Sequence, residues 1–211
     1  MTTVEPPTTS ATTSPATTTA SPTVTTARTL IEPWGAPEDG LKVSVIVPDG
    51  WNIEDGYVVK GDEADGTLMA VIAGMVEHVY ADRCQWTSTE LDPPLGPTVD
   101  HLTTAFATIW GSGATAPVDV TVDSYAGKSM VMTVPDDVDF AECDEQHFVG
   151  WSDPENSGPS RWYQGAGQIL RHWILDVDGE RLLIEASHFP ELSAEGLAEL
   201  ETVIESIQIE T

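Results

Sequence analysis

An α+β domain, built as an antiparallel β-sheet with helices packed on it, is the fold class this sequence predicts. Three features lead to it. Short runs alternate apolar and polar residues with the period of a half-buried strand. Two longer stretches repeat apolar residues at helical spacing. Regular strand–helix alternation, the mark of a parallel sheet, is missing, and no internal repeat is visible.

Domain organisation follows from composition. Residues 1–29 hold 13 Thr, 3 Ser and 4 Pro, so they have little to bury against the entropy of ordering. They read as a disordered spacer of the kind that holds a domain away from a surface. Residues 30–211 read as a single α+β domain. Met1 is followed at once by polar residues, with neither a basic n-region nor an apolar h-region. The start is therefore either cytoplasmic or downstream of a removed anchor, and the spacer composition favours the second.

Val43, Val45 and Val47 alternate along the first strand, which stops at Pro48-Asp49-Gly50-Trp51. Residues 68–76 form an apolar run long enough for a buried strand. Pro97-Thr98 opens a helix. Thr98 is a ready N-cap, and Asp100 sits in the first turn, where the helix dipole favours an anion. Val99, Leu102, Phe106 and Ile109 then recur on one face. Val118, Val120 and Val122 mark another strand, which is expected to turn through Tyr125-Ala126-Gly127-Lys128 into the run from Met130 to Val134.

Asp178-Gly179 between two apolar runs is a strong signal for a two-residue hairpin turn. The turn sets a register in which Trp173, Leu175, Val177, Leu182 and Ile184 share a core face. The other face pairs Asp176 with Arg181 and His172 with Glu185, with Ile174 and Leu183 between them. A helix is expected over that apolar strip. The candidate begins after Ser193, its N-cap, and carries Leu197, Leu200, Ile204 and Ile207 as one stripe.

The chain carries 35 acidic and 8 basic residues, a net charge of −27. Such a balance excludes nucleic acid, whose phosphates need clustered Lys and Arg. It also disfavours an anionic membrane surface. No apolar run approaches the ~20 residues of a membrane-spanning helix, so direct insertion of this chain in a membrane is not expected. A halophilic host is a second source for the acidic excess.

A series of motifs carries a resemblance. Cys84-Gln85-Trp86 is followed by Gly96-Pro97-Thr98-Val99-Asp100, Pro117-Val118-Asp119-Val120-Thr121-Val122 and Tyr125-Ala126-Gly127-Lys128. Val134-Pro135-Asp136-Asp137, Asp139-Phe140-Ala141 and Cys143-Asp144 come next, then Gly167-Gln168, the run from Trp173 to Gly179, and Arg181-Leu182-Leu183-Ile184. Across roughly residues 42–210 the chain resembles an uncharacterised extracytoplasmic domain of actinobacteria, often tethered as a lipoprotein or by a membrane helix. The resemblance implies a PsbP/Mog1-like α/β/α sandwich and a location outside the cytoplasm, at the cell surface or secreted. It implies no catalytic residues. Arg83 departs from the Pro common before the first Cys of such sequences.

With the spacer and the resemblance both pointing outside the cell, Cys84 and Cys143 are expected to form a disulfide. Two buried free thiols are the alternative. A bridge closing this loop adds roughly 4 kcal/mol at most in the chain-entropy model.

Candidate sites are few. Ala126-Gly127-Lys128-Ser129 lacks the first glycine of a phosphate loop and reads as a turn. No nucleophile elbow or zinc-protease motif occurs, and His78, His101, His147, His172 and His188 are scattered. The acidic stretch of Asp136, Asp137, Asp139, Glu142, Asp144 and Glu145 is the best calcium candidate, but it lacks EF-hand spacing and reads as solvated surface. Among seven tryptophans, Trp86, Trp110 and Trp173 sit in apolar patterns and read as core. Trp151, Trp162 and Tyr163 flank a polar loop and are the ligand-binding candidates. No catalytic residue, metal or cofactor is assigned. The function expected is a non-enzymatic extracytoplasmic binding or sensing module on a flexible stalk, its partner an unidentified small molecule or envelope protein. A secreted enzyme with an unfamiliar site and a structural interaction domain are the alternatives.

Overall fold

The structure, a computed structural model, describes residues 27–155 and 158–211. The spacer expectation therefore lies, up to residue 26, outside the described residues. Arg28 already belongs to the fold. It donates to the Ser44 hydroxyl and carbonyl at 2.9 and 2.8 Å, and Thr29 pairs with Val45. Arg28 and Thr29 are thus part of the folded structure, just before residue 30.

Among the described residues the chain runs through β1 (Thr29–Ile31), β2 (Lys42–Val45), β3 (Asn52–Glu54), β4 (Tyr57–Lys60), β5 (Met69–Gly74) and β6 (His78–Val79). It continues through α1 (Val99–Trp110), β7 (Val118–Val122), β8 (Tyr125–Thr133), β9 (Phe148–Ser152), β10 (Arg161–Tyr163), β11 (Ile169–Val177), β12 (Glu180–His188), α2 (Ala194–Glu205) and β13 (Gln208–Glu210). Seven strands make one sheet in the order β3-β4-β5-β12-β11-β8-β7, antiparallel at every pairing. The α+β expectation is met.

Each face of this sheet has its own core, because alternate residues of a strand point to opposite faces. Trp173, Leu175, Leu182 and Ile184 pack with Leu200 and Val203 of α2 and with the small sheet β1-β2-β13. Leu170, Ile174, Leu183, Met130 and Met132 pack with Leu102 and Phe106 of α1 and with the small sheet β10-β9-β6. Trp86, Trp110 and Trp173 are all buried.

α1 starts where expected. The Thr98 hydroxyl accepts the His101 N–H at 3.2 Å, while His101 Nδ1 accepts the Thr98 N–H, a reciprocal cap. The Ser193 hydroxyl caps α2 by accepting the Gly196 N–H at 3.1 Å.

Four details correct the sequence reading. α2 covers the Trp173 face, and it is α1 that covers the strip of Ile174 and Leu183. Both faces of the hairpin are apolar, so hydrophobic patterning could not choose between them. Within α2, Val203 takes the buried place expected of Leu197, which is exposed. The β7–β8 turn lies at Asp123-Ser124, both at positive φ, with Val122 opposite Tyr125, so Tyr125 to Lys128 belong to the strand. The Asp123 carboxylate accepts the Ile209 N–H at 2.6 Å and ties that turn to β13.

The β11–β12 hairpin has the expected register, with Asp176 across from Arg181 and His172 across from Glu185. The Asp176–Arg181 ion pair does not form, which is the fourth correction. Arg181 donates instead to the carbonyls of Val76, Gly96 and Thr98, and Asp176 accepts the Gly179 N–H at 2.8 Å. Three carbonyls, that of Val76 just after β5 and those of Gly96 and Thr98 just before α1, outcompete one solvated carboxylate.

Candidate functional site

The second face of the central sheet is not wholly covered. α1 lies over β8 and β11, and the strip formed by β4 and β5 is left as the floor of a groove of about 390 Å³. Val59 and Ala70 pair across this floor, as do Tyr57 and Ile72. Strand alternation puts all four on the same face as Ser187 and Glu185 of β12.

Two aromatic walls rise from the floor. One is a corner made by Trp34 and Tyr57, whose rings meet edge to face at 5.8 Å. Trp34 is held beside β5 by backbone hydrogen bonds with Ala73 and Met75, and its indole N–H donates to the Asp55 carbonyl at 2.9 Å. Gly56 makes room for the ring, since a Cβ there would lie 2.0 Å from the indole nitrogen. Trp162 of β10 forms the second wall. It is 42% exposed, and His147 stacks against its ring at 4.9 Å. Glu63 and Leu68, from the segment joining β4 and β5, close one end.

Behind the second wall lies a charged network without exposure. Glu185 Oε1 accepts from Arg161 Nε and Nη2 at 2.9 and 2.6 Å, and Glu185 Oε2 lies 2.8 Å from His172 Nε2. Arg161 is 4% exposed, while Glu185 and His172 are at 0%. Burial pushes the Glu185 carboxyl upward, but the Arg161 charge and the His172 hydrogen bond outweigh it and hold the group at about 2. An ionised carboxylate only accepts, so the His172 Nε2–H donates. Its Nδ1 is buried without a partner, against the ring of Phe106 at 5.1 Å. Arg161 Nη1 donates to the Trp162 carbonyl and to Gln164, so the network sets the backbone that presents Trp162. Gln164 is in turn locked to Gln168 at 2.9 Å.

The three sequence candidates separate. Trp162 lines the groove. Trp151 and Tyr163 do not stand exposed beside a loop: both are fully buried, Trp151 against Trp34 and Tyr163 among Trp110, Phe148 and the Arg161 guanidinium. Alternation along β10 turns Arg161 and Tyr163, the neighbours of Trp162, inward, and Trp151 on β9 pairs opposite the inward Arg161. Burial, reinforced by the nearby Glu185 charge, drives the Tyr163 hydroxyl well above the ordinary phenol range. Trp34, Tyr57, Glu63 and the Arg161–Glu185–His172 network were not singled out as site residues. Their partners lie far apart in sequence, and the one available signal was the His172–Glu185 register.

Cys84 and Cys143 are joined in a disulfide. In the acidic stretch around Cys143, Asp139 caps a short turn by accepting the Ala141 N–H at 3.0 Å. Asp144 accepts from the Thr87 N–H and hydroxyl at 3.0 and 2.6 Å. Among the described residues no group of three or more His, Cys, Asp or Glu side chains is placed to hold a metal ion. A broader depression of about 460 Å³ is lined by Thr103, Thr104, Thr108 and Lys128, with no aromatic wall. Lys128 is paired there with Asp119 at 2.8 Å.

No family model and no curated protein matches the chain. The groove is therefore read from its own chemistry. It can bury an apolar body on an aliphatic floor and stack it against indole and phenol rings. His172 and Glu185 lie behind it, out of a ligand's reach.

Proposed function

We propose that this chain is a non-enzymatic ligand-binding or sensing module of the cell envelope, carried outside the cytoplasm on its Thr/Ser/Pro-rich N-terminal segment. The observation that carries this reading is the groove walled by Trp34, Tyr57 and Trp162 over an aliphatic floor. Concave apolar sites with a few fixed polar groups are where proteins take small ligands. The groove lining holds no Cys among the described residues, which favours binding over thiol chemistry. The Cys84–Cys143 disulfide supports an oxidising compartment. A helix on each face of an antiparallel sheet supports a PsbP/Mog1-like α/β/α sandwich, and with it the lipoprotein-type anchoring that the resemblance implies.

The test is a small-molecule fragment screen read by amide and indole NMR shifts. Hits are expected to move the indole signals of Trp34 and Trp162 and to be lost in Trp162→Ala. Hits that map elsewhere, or an empty screen, overturn the reading. Chemical conversion of a fragment would favour the secreted-enzyme alternative.

A further inference from the structure

We propose that the groove takes a small organic cation, a quaternary or similarly bulky ammonium group on an apolar body. This rests on the groove being a ligand site. Three aromatic side chains, Trp34, Tyr57 and Trp162, line it, and the negative faces of such rings attract weakly hydrated cations. Glu63 adds a carboxylate at one end, and among the described residues no ion pair engages it. The same segment carries Asp62 and Asp65 and no basic residue. Lys60, at the end of β4, is paired with Glu199 at 2.6 Å.

Arg161, the one cation among the described lining residues, does not reverse this balance. Its Nε and Nη2 are spent on Glu185 and its Nη1 on Trp162 and Gln164. An anionic ligand would meet a neutralised guanidinium and the Glu63 carboxylate. A compact, strongly hydrated cation would lose its water shell to a floor of Val59, Ala70 and Ile72 that has nothing to replace it. A bulky ammonium group suits both the rings and the charge.

The full chain is titrated with choline and, separately, with its uncharged carbon isostere, in which a tert-butyl group replaces trimethylammonium. Choline should move the indole signals of Trp34 and Trp162 and bind about tenfold tighter than the isostere. Glu63→Gln, an exposed loop change that leaves the core untouched, should remove much of that preference. Trp162→Ala should abolish binding, and Glu210→Gln should leave it unchanged. Equal binding of the isostere at the same signals would overturn the cation proposal and leave the ligand-site reading standing. Choline that leaves both indoles unmoved would also overturn the proposal, and the fragment screen then decides the wider reading.

Discussion

Arg161 on β10 and Glu185 on β12 meet through two hydrogen bonds to one carboxylate oxygen, and neither side chain reaches solvent to any useful extent. This pair joins a small covering sheet to the central one at the edge of the groove. Removing one partner leaves the other charged and buried, which costs far more than an exposed pair would. Glu185→Gln should therefore lower stability by about 3–5 kcal/mol in a denaturant melt. A change below ~1 kcal/mol would show that the network is solvated and not structural.

The same carboxylate predicts a pH dependence. Its folded value, about 2, lies below the ordinary 4.5. The unfolded state then binds the proton more readily, so this stabilisation is complete above about 4.5 and is lost as pH falls towards about 2. Melting temperatures of the wild type and Glu185→Gln should converge across that window. Parallel curves would contradict the assignment.

Tyr163 offers a test with the opposite sign. Its hydroxyl is buried without a hydrogen-bond partner, so Tyr163→Phe removes an unsatisfied polar group at almost no loss of packing. Stability should rise by about 1 kcal/mol, and ligand binding in the groove should be unaffected. Lost binding with unchanged stability would return Tyr163 to the site.

Reducing the Cys84–Cys143 bridge, or changing both residues to Ala, should lower stability by up to about 4 kcal/mol, as expected for so long a loop. Non-reducing peptide mapping of protein made in an oxidising compartment should yield the linked pair. Two freely alkylated thiols in that material would exclude the bridge.

At the β11–β12 turn, Gly179 has φ +96, a conformation a β-branched residue resists. Gly179→Val should be strongly destabilising. Asp176→Asn keeps the oxygen that accepts the Gly179 N–H and should change stability by less than about 0.5 kcal/mol, whereas Asp176→Ala should lose about 1 kcal/mol. Neither change should alter any calcium response of the melting temperature. A calcium shift abolished by Asp176→Asn would make this a metal motif.

Local signals in the sequence were enough for elements whose causes are local. Thr98 and Ser193 announce helix starts because a cap contacts backbone three residues away. Asp178-Gly179 announces its turn, and the turn fixes the register that buries Trp173, Leu175, Leu182 and Ile184. A slip by one residue would move that set from the α2 core to the α1 face and break the packing of both. The turn at Asp123-Ser124 escaped notice because it reaches positive φ without glycine, held by a carboxylate whose partner lies at Ile209.

The site was decided by tertiary structure alone. Both hairpin faces are apolar, so patterning could not say that α2 would take the Trp173 face and α1 the other. That choice leaves the α1-side face of β4 and β5 without a helix over it and makes the groove. Alternation shows that Trp162 and Tyr163 oppose each other, but not which one faces solvent until β10 is laid on the sheet. Trp34, Tyr57, Glu63 and Arg161 reach one groove from three separated segments, and a one-dimensional period carries no record of distances that only chain packing sets.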